Sequence, residues 1–364
     1  MITRNLPLNQ PMVESSNKVR STQDLATTSP SPSVPDETDS KSPWKKSLAG
    51  AYHDPQELLA DLGIEADLVV LDPAPTFPFR VPREFAEKMR HGDLDDPLLR
   101  QVLPFAQELS SSEGFLADPV EDSTFETQPG LLHKYLNRAL IITTGGCAIN
   151  CRYCFRRNFP YQNSVGNTRF QKIIETLQQS TDIEEIILSG GDPLLLDDEK
   201  LAGLCAELDA ISHLKRLRIH TRLPVTIPSR ITPALQKTLG ETRLEVAFVI
   251  HANHPNEVDT TLAQGLKSLH KCGVNLFNQS VLLRGVNDAP SSLVRLSERL
   301  FSANVTPYYV HLLDPVSGSA HFAVSLERAK EIEQSMRDVL PGYLLPKFVR
   351  EIPHQTSKTP IHLL

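Results

Sequence analysis

A regular beat constrains this chain more than any other feature. Apolar, β-branched runs recur at "ALIITT" (139–144), "EEIILSG" (184–190), "LKRLRIHT" (214–221), "LEVAFVIH" (244–251), "VNLFNQSVLL" (274–283) and "VTPYYVHLL" (305–313). Their starts lie 45, 30, 30, 30 and 31 residues apart. Between them run helical patterns such as "TRFQKIIETLQQS", "DDEKLAGLCAELDAI" and "PNEVDTTLAQGLKSLHKCG". Strands alternating with helices at this spacing build βα units on a parallel sheet. Six units fall short of the eight that close a barrel. The expected class is therefore α/β, an open partial (β/α)6 barrel, with a doubly wound open sheet as the alternative.

Unusual residues sit where these runs end. A cysteine-rich loop follows the first, "SGGDP" ends the second, "HTR" the third, "HANHP" the fourth and "HLLDP" the sixth. In barrels and open α/β sheets the C-terminal strand edge is where active sites form. Upstream, residues 1–45 are rich in Ser, Thr, Pro and Asp without an apolar period, and read as a disordered tail. Scattered acids (Glu14, Asp24, Asp36, Glu37, Asp39) weigh against an organellar targeting peptide. Residues 46–130 read as a small helical region: "HDPQELLADLGI" has Asp54 before Pro55 and then Leu58, Leu59 and Leu62 on one face. "VPREFAEKM" and "DDPLLRQVLPFAQEL" suggest further helices. The barrel spans 131–340, and 341–364 forms a C-terminal segment.

A net charge of −7 and a pI near 6.0 argue against a general nucleic-acid or anionic-membrane binder. No apolar run approaches the roughly 18–20 residues needed to cross a bilayer, and the start lacks a secretory pattern. Of five cysteines, three fall within eight residues. Thiols that close do not make a disulfide framework; in a reducing compartment they bind metal or do chemistry, which makes the cytoplasm the expected location.

Cys147, Cys151 and Cys154 form C-x3-C-x2-C in "TTGGCAINCRYCFRRNF". A closed zinc site wants a fourth Cys or His, and a fully ligated ferredoxin cluster wants a fourth cysteine. Cys205 and Cys272 lie in helical stretches among apolar residues and look like core thiols. Three ligands on a four-iron cluster leave one iron open. On the residues alone a zinc knuckle is the plain alternative.

The motif, with its aromatic before the last cysteine and its place after the first strand, resembles the radical S-adenosylmethionine superfamily. That resemblance implies a 4Fe–4S cluster whose open iron is chelated by S-adenosylmethionine, which is then split to a 5′-deoxyadenosyl radical. Gly190, Gly191 and Asp192 of "SGGDP" match the superfamily motif that contacts the methionine amino group. Glycines at a strand end also let backbone approach a ligand closely.

"CRYCFRRNF", "SGGDPLLL", "HTRLPVTIPSRIT", "HANHPNEV" and "NQSVLLRGVND" together are similar to the lysine 2,3-aminomutase family, from about "FRVPREF" at 79 to "KFVREI" at 352. The length and the "GYLLPKFVREI" ending look most like its subgroup that β-lysylates elongation factor P. The family resemblance implies that His251 and Gln279 contact S-adenosylmethionine. It implies too that Lys347 holds pyridoxal 5′-phosphate through an imine, with Arg138 near that cofactor. By the same resemblance Arg156 pairs with the substrate α-carboxylate, for which a planar guanidinium is suited, and Asp314 with the lysine ε-ammonium. The plain alternative for Arg152, Arg156 and Arg157 together is a solvated basic patch, and for Arg157 it stays open. The family's second ammonium-binding aspartate stands seven residues before the pyridoxal lysine; counted from Lys347 that position is Leu340, with Asp338 the nearest acid.

The implied activity is conversion of L-α-lysine to (R)-β-lysine, serving elongation factor P. It needs an external electron donor of flavodoxin or ferredoxin type, and a homo-oligomer is possible. Rival readings are a free-lysine or other amino-acid aminomutase unconnected to that factor, and, in another class, an iron–sulfur electron carrier or a zinc-stabilised binding protein.

Overall fold

The structure, a computed structural model, describes residues 42–161 and 169–364. Residues 1–41, most of the segment read as a tail, lie outside the described residues.

Ten strands form one sheet in chain order: β1 (Glu126–Gln128), β2 (Leu131–Tyr135), β3 (Arg138–Thr144), β4 (Glu185–Gly190), β5 (Arg216–Thr221), β6 (Glu245–His251), β7 (Asn275–Leu282), β8 (Thr306–Leu312), β9 (Lys347–Arg350) and β10 (Thr359–Pro360). Each of the six apolar runs is a strand, β3 to β8, and every neighbouring pair among them is parallel. The sheet order begins at β1 and ends at β10, so the barrel stays open, as a six-unit beat requires. β9 extends the parallel set to a seventh strand beside β8. β1 and β2 at one edge and β10 at the other pair antiparallel.

Burial explains why these runs are strands. β4 is buried along its whole length, lying between the barrel interior and the outer helices. Those helices turn apolar stripes inward: Ile173, Ile174 and Leu177 on Arg169–Gln179, Leu262, Leu266 and Leu269 on Thr260–Lys271, and Leu293, Leu296 and Leu300 on Pro290–Ser302. The shared core includes Leu188, Leu217, Ile219, Phe248 and Leu276.

The N-terminal region is more broken than its pattern suggests. Helix Pro43–Ala49 begins before the boundary at 45, and its Trp44 is buried in the barrel core with the Arg230 guanidinium 4.8 Å above its ring. Asp54 caps Pro55–Asp61 by accepting from the Gln56 N–H at 2.9 Å. "VPREFAEKM" yields one turn, Arg83–Ala86, and "DDPLLRQVLPFAQEL" yields only the 3₁₀ turns Leu99–Gln101 and Ala106–Leu109. Pro104 between those turns has no N–H to continue a helix.

This region forms a second apolar cluster that takes in Ile149 and packs against Cys151, so it forms the floor beneath the cysteine loop. Asn150 donates to the Pro78 carbonyl at 2.9 Å and the Arg152 N–H to the Gln101 carbonyl at 2.9 Å. The fully buried Arg152 grips Glu108 through Nε at 2.7 Å and Nη2 at 2.6 Å, and Arg157 donates to the same carboxylate at 2.7 Å. Arg157 is therefore no solvated patch. It and Arg152 share one buried anion and fix the loop. Removing that anion strands two guanidinium groups in the interior, a change that costs about 3–5 kcal/mol. Glu108→Ala should lower the denaturation midpoint accordingly and reduce iron retention; an unchanged midpoint would refute the role given to Glu108.

Candidate active site

The strand ends of β3 to β8 surround a cavity of about 380 Å³, within the range of small-molecule sites. It brings together Cys147, Cys151, Cys154, Arg138, Arg156, Gly190, Gly191, Asp192, His251, Gln279 and Asp314, eleven of the twelve residues singled out in sequence. Lys347 is the exception.

The cysteine loop is tied to β4 by its glycines. The Gly191 N–H donates to the Thr144 carbonyl and the Asp192 N–H to the Gly146 carbonyl, both at 2.8 Å. A Cβ on Gly191 would stand 1.9 Å from the Gly146 carbonyl oxygen, and Gly190 has a φ of +120°. Only glycine fits this approach of two backbones. The Asp192 carboxylate is satisfied within the protein. One oxygen accepts from Thr221 Oγ1 at 2.7 Å and the Leu194 N–H at 3.0 Å, the other from the N–H groups of Arg222 at 2.7 Å and Leu223 at 2.9 Å. It clamps the ends of β4 and β5.

The three thiols are free and crowded. Burial, then mutual repulsion, pushes the Cys154 thiol up to about 11 and Cys147 well above its ordinary value. Such a set is poor as three bare thiolates and well suited to a cationic iron core that offsets their charge. Among the described residues no three His, Cys, Asp or Glu side chains converge on a single-ion site; a cluster asks for none, since each thiolate binds its own iron. Beside them, His251 and Gln279 are register partners on β6 and β7. Burial holds His251 down to about 3, a neutral imidazole whose Nε2 lies 3.1 Å from the Tyr153 hydroxyl.

Sequence reasoning missed a charged group from the irregular segment before the barrel. Asp122 meets Arg156 Nε at 2.6 Å and Lys134 Nζ at 2.7 Å. Burial raises its carboxyl, but the two cations outweigh that and hold it below the usual range. Arg156 also donates through Nη1 to Ser189 Oγ at 3.0 Å. The two-point grip expected of a free guanidinium is thus partly taken, leaving Nη2 and one net positive charge from two cations and one anion. Arg138 stacks on Tyr135, 4.1 Å above the ring, and forms no ion pair among the described residues. His220 and His311 face the cavity as neutral imidazoles, held there chiefly by burial.

Lys347 does not line the cavity. It opens β9 beside Tyr309 of β8 and is exposed. Lys358, absent from the sequence-based set, lines the cavity instead, with Nζ 2.6 Å from Glu351. Glu351 also accepts from the Tyr135 hydroxyl at 2.8 Å, which brings β2 and the segment after β9 together. Glu351 stands seven residues before Lys358 (358 − 351), the same spacing that separates Leu340 from Lys347; Leu340 is buried in the core. Reading "KFVR" as a seventh parallel strand would have given the signal. Asp314 has no side-chain hydrogen bond among the described residues, and burial pushes its carboxyl up to about 7.

Open α/β architecture with three cysteines and a Gly-Gly turn at the C-terminal strand edge defines a radical S-adenosylmethionine enzyme, and residues 141–296 match the Radical SAM superfamily. The chain is 48% identical over 330 residues to an L-lysine 2,3-aminomutase of Escherichia coli, covering 90% of this chain and 96% of that one. It is 45% identical over 319 residues to one of Haemophilus influenzae (87% and 94%), and 38% over 271 residues to one of Clostridium subterminale (74% and 65%). The chain belongs to the lysine 2,3-aminomutase family, and it is an isomerase. Its cofactors are those of the family: a 4Fe–4S cluster, S-adenosylmethionine and pyridoxal 5′-phosphate. Among the described residues no helix is long and apolar enough to cross a membrane.

The two lysines can be told apart directly. Lys358→Ala should abolish the visible band of protein-bound pyridoxal while leaving iron content intact, and Lys347→Ala should change neither. The reverse pattern in the two spectra would restore Lys347.

Proposed function

We propose that this protein converts L-α-lysine to (R)-β-lysine destined for elongation factor P, with Lys358 as the residue that holds pyridoxal 5′-phosphate. When bound, the cluster and S-adenosylmethionine supply one-electron cleavage chemistry, and pyridoxal 5′-phosphate supplies an aldehyde that carries the migrating nitrogen. Cys147, Cys151 and Cys154 would hold the cluster. The Gly190–Gly191 backbone, His251 and Gln279 would hold S-adenosylmethionine, and Arg138 would supply a positive charge near the pyridoxal cofactor.

The observation that carries the substrate assignment is Asp314. It lines the cavity half-buried and without a side-chain partner among the described residues; a carboxylate so placed is costly, and an ammonium group from a ligand removes that cost. Glu351 lies close enough to raise the Asp314 carboxyl further. Once Lys358 is committed to the cofactor, it no longer balances Glu351, and two acids then face the ε-ammonium. At the other end, Arg156 and Lys134 keep their excess positive charge for the α-carboxylate. Held at both ends, lysine presents a single stretch of its carbon chain to the reaction. Neutral His220, His251 and His311 add no competing cation.

The same carboxyl sets a pH dependence. Asp314 near pH 7 is partly protonated and binds an ammonium only as the anion. The Lys358 ammonium holds that value down, so with Lys358 on the cofactor the carboxyl stands higher; lysine binding should therefore tighten up to tenfold per unit as pH rises through neutrality and level off once Asp314 is ionised. Asp314→Asn should raise KM for lysine at pH 8 by about 10- to 100-fold, the cost of a lost charged partner, and flatten that limb. A wild-type steepness surviving in Asp314→Asn would exclude Asp314.

The elongation-factor reading is supported by the segment "GYLLPKFVREI", which resembles that subgroup of the family. An anaerobic assay with S-adenosylmethionine and a reductant should release β-lysine from free lysine. β-Lysine formed only when lysylated elongation factor P is added would move the substrate onto the protein, and none from either source would refute the function.

A further inference from the structure

We infer that Arg222 is a positioning residue for the iron–sulfur cluster, one that holds the Cys151 sulfur and sets how readily the cluster accepts an electron. The inference rests on the assignment of the three cysteines to the cluster. Arg222 follows β5 at the edge of the cavity and is buried. Its Nη1 donates to Cys151 Sγ at 2.6 Å and also meets the Tyr153 hydroxyl. Its backbone N–H is the one gripped by Asp192 at 2.7 Å. The guanidinium also lies over two rings, 5.4 Å from Phe85 and 5.7 Å from Tyr153.

The far side of the guanidinium is anchored. Nη2 donates to Gln101 Oε1 at 2.8 Å and to Glu257 Oε2 at 3.0 Å. Glu257, fully buried, accepts at its other oxygen from Gln101 Nε2 at 3.0 Å and from the N–H groups of Asn253 at 3.0 Å and His254 at 3.1 Å. Asn253 closes the network by donating to Gln101 at 2.9 Å and Tyr153 at 2.6 Å. Such a network leaves Arg222 no alternative position. Among the described residues, no other charged side chain donates to the sulfur of any of the three cysteines. One thiol of the trio therefore has a cation fixed against it.

Hydrogen bonds and positive charge at a ligating sulfur stabilise the more negative state of a cluster. Reduction adds one electron from an external one-electron donor, and the guanidinium offsets the added charge. Glu257 works against this by partly neutralising Arg222. The two residues should therefore shift the potential in opposite directions, which a general loosening of the site would not do.

The test is the cluster midpoint potential of the anaerobically reconstituted full chain, titrated with dithionite and followed by electron paramagnetic resonance. Arg222→Gln should lower the reduced-to-oxidised ratio at a fixed solution potential by about tenfold, equivalent to about 59 mV for one electron. Arg222→Lys should fall between that and wild type, and Glu257→Gln should move the ratio the other way. Equal potentials in loaded variants, or shifts of the same sign for Arg222→Gln and Glu257→Gln, would overturn the inference. Should the variants fail to load or fold, wild-type protein labelled only in the arginine guanidinium nitrogens serves instead. Its reduced cluster should show coupling to a labelled nitrogen, lost in Arg222→Lys if that variant loads; no coupling in the wild type would overturn the inference. Cys151→Ala separates the two layers: undiminished cluster content there refutes the cysteine assignment itself.

Discussion

Three thiols held side by side out of water repel one another as thiolates, and much of the surrounding structure keeps them in place. Burial and mutual charge raise Cys147 and Cys154, so without a cationic centre they stay neutral thiols and the fold must hold their loop in place by other contacts. From the sheet side, two glycine-dependent backbone hydrogen bonds stitch it to the end of β4. From below, Glu108 holds Arg152 and Arg157, and Ile149 is sunk in the N-terminal apolar cluster. The N-terminal region has few regular elements because its work is to supply carbonyls and one carboxylate to this loop.

The cavity that opens above the thiols is divided by charge. Arg156 and Lys134 around Asp122 leave an excess of positive charge. Asp314, by contrast, stands without a partner among the described residues, and Glu351 depends on a single lysine. An amino acid with a carboxylate at one end and a second ammonium at the other fits that division. Asp192 serves a different purpose. Its four protein donors make it a brace between strand ends, and through the backbone of Arg222 it reaches the cysteine network.

Much of this was legible in the sequence, for a physical reason. Strands β3 to β8 each bury an apolar set, along the whole of β4 and at alternate positions of β5 and β7, so they show as apolar or β-branched runs, and the cysteines, glycines and acids at their ends fall at fixed points of that rhythm. β9 has four residues and no following helix, so it broke the rhythm and went unread. Without it, Lys347 drew attention as the lysine of "GYLLPKFVREI", although it opens the strand exposed and off the cavity lining, which the later Lys358 joins. Asp122 comes from the irregular segment before the barrel, and Lys134 from the short antiparallel β2. The arginines of "CRYCFRRNF" were conspicuous, but which of them face the cavity and which are locked to Glu108 depends on burial, which no local pattern records.

Three thiolates on a four-iron cluster leave one iron free for a ligand, and the chemistry proposed for this cavity starts at that iron. Electron–nuclear double resonance of the reduced cluster, with S-adenosylmethionine isotopically labelled at its amino nitrogen and carboxylate oxygen, tests this directly. Hyperfine coupling to both labels is expected, as direct chelation at that iron requires. A cluster whose spectrum is unchanged by the labelled compound would contradict it.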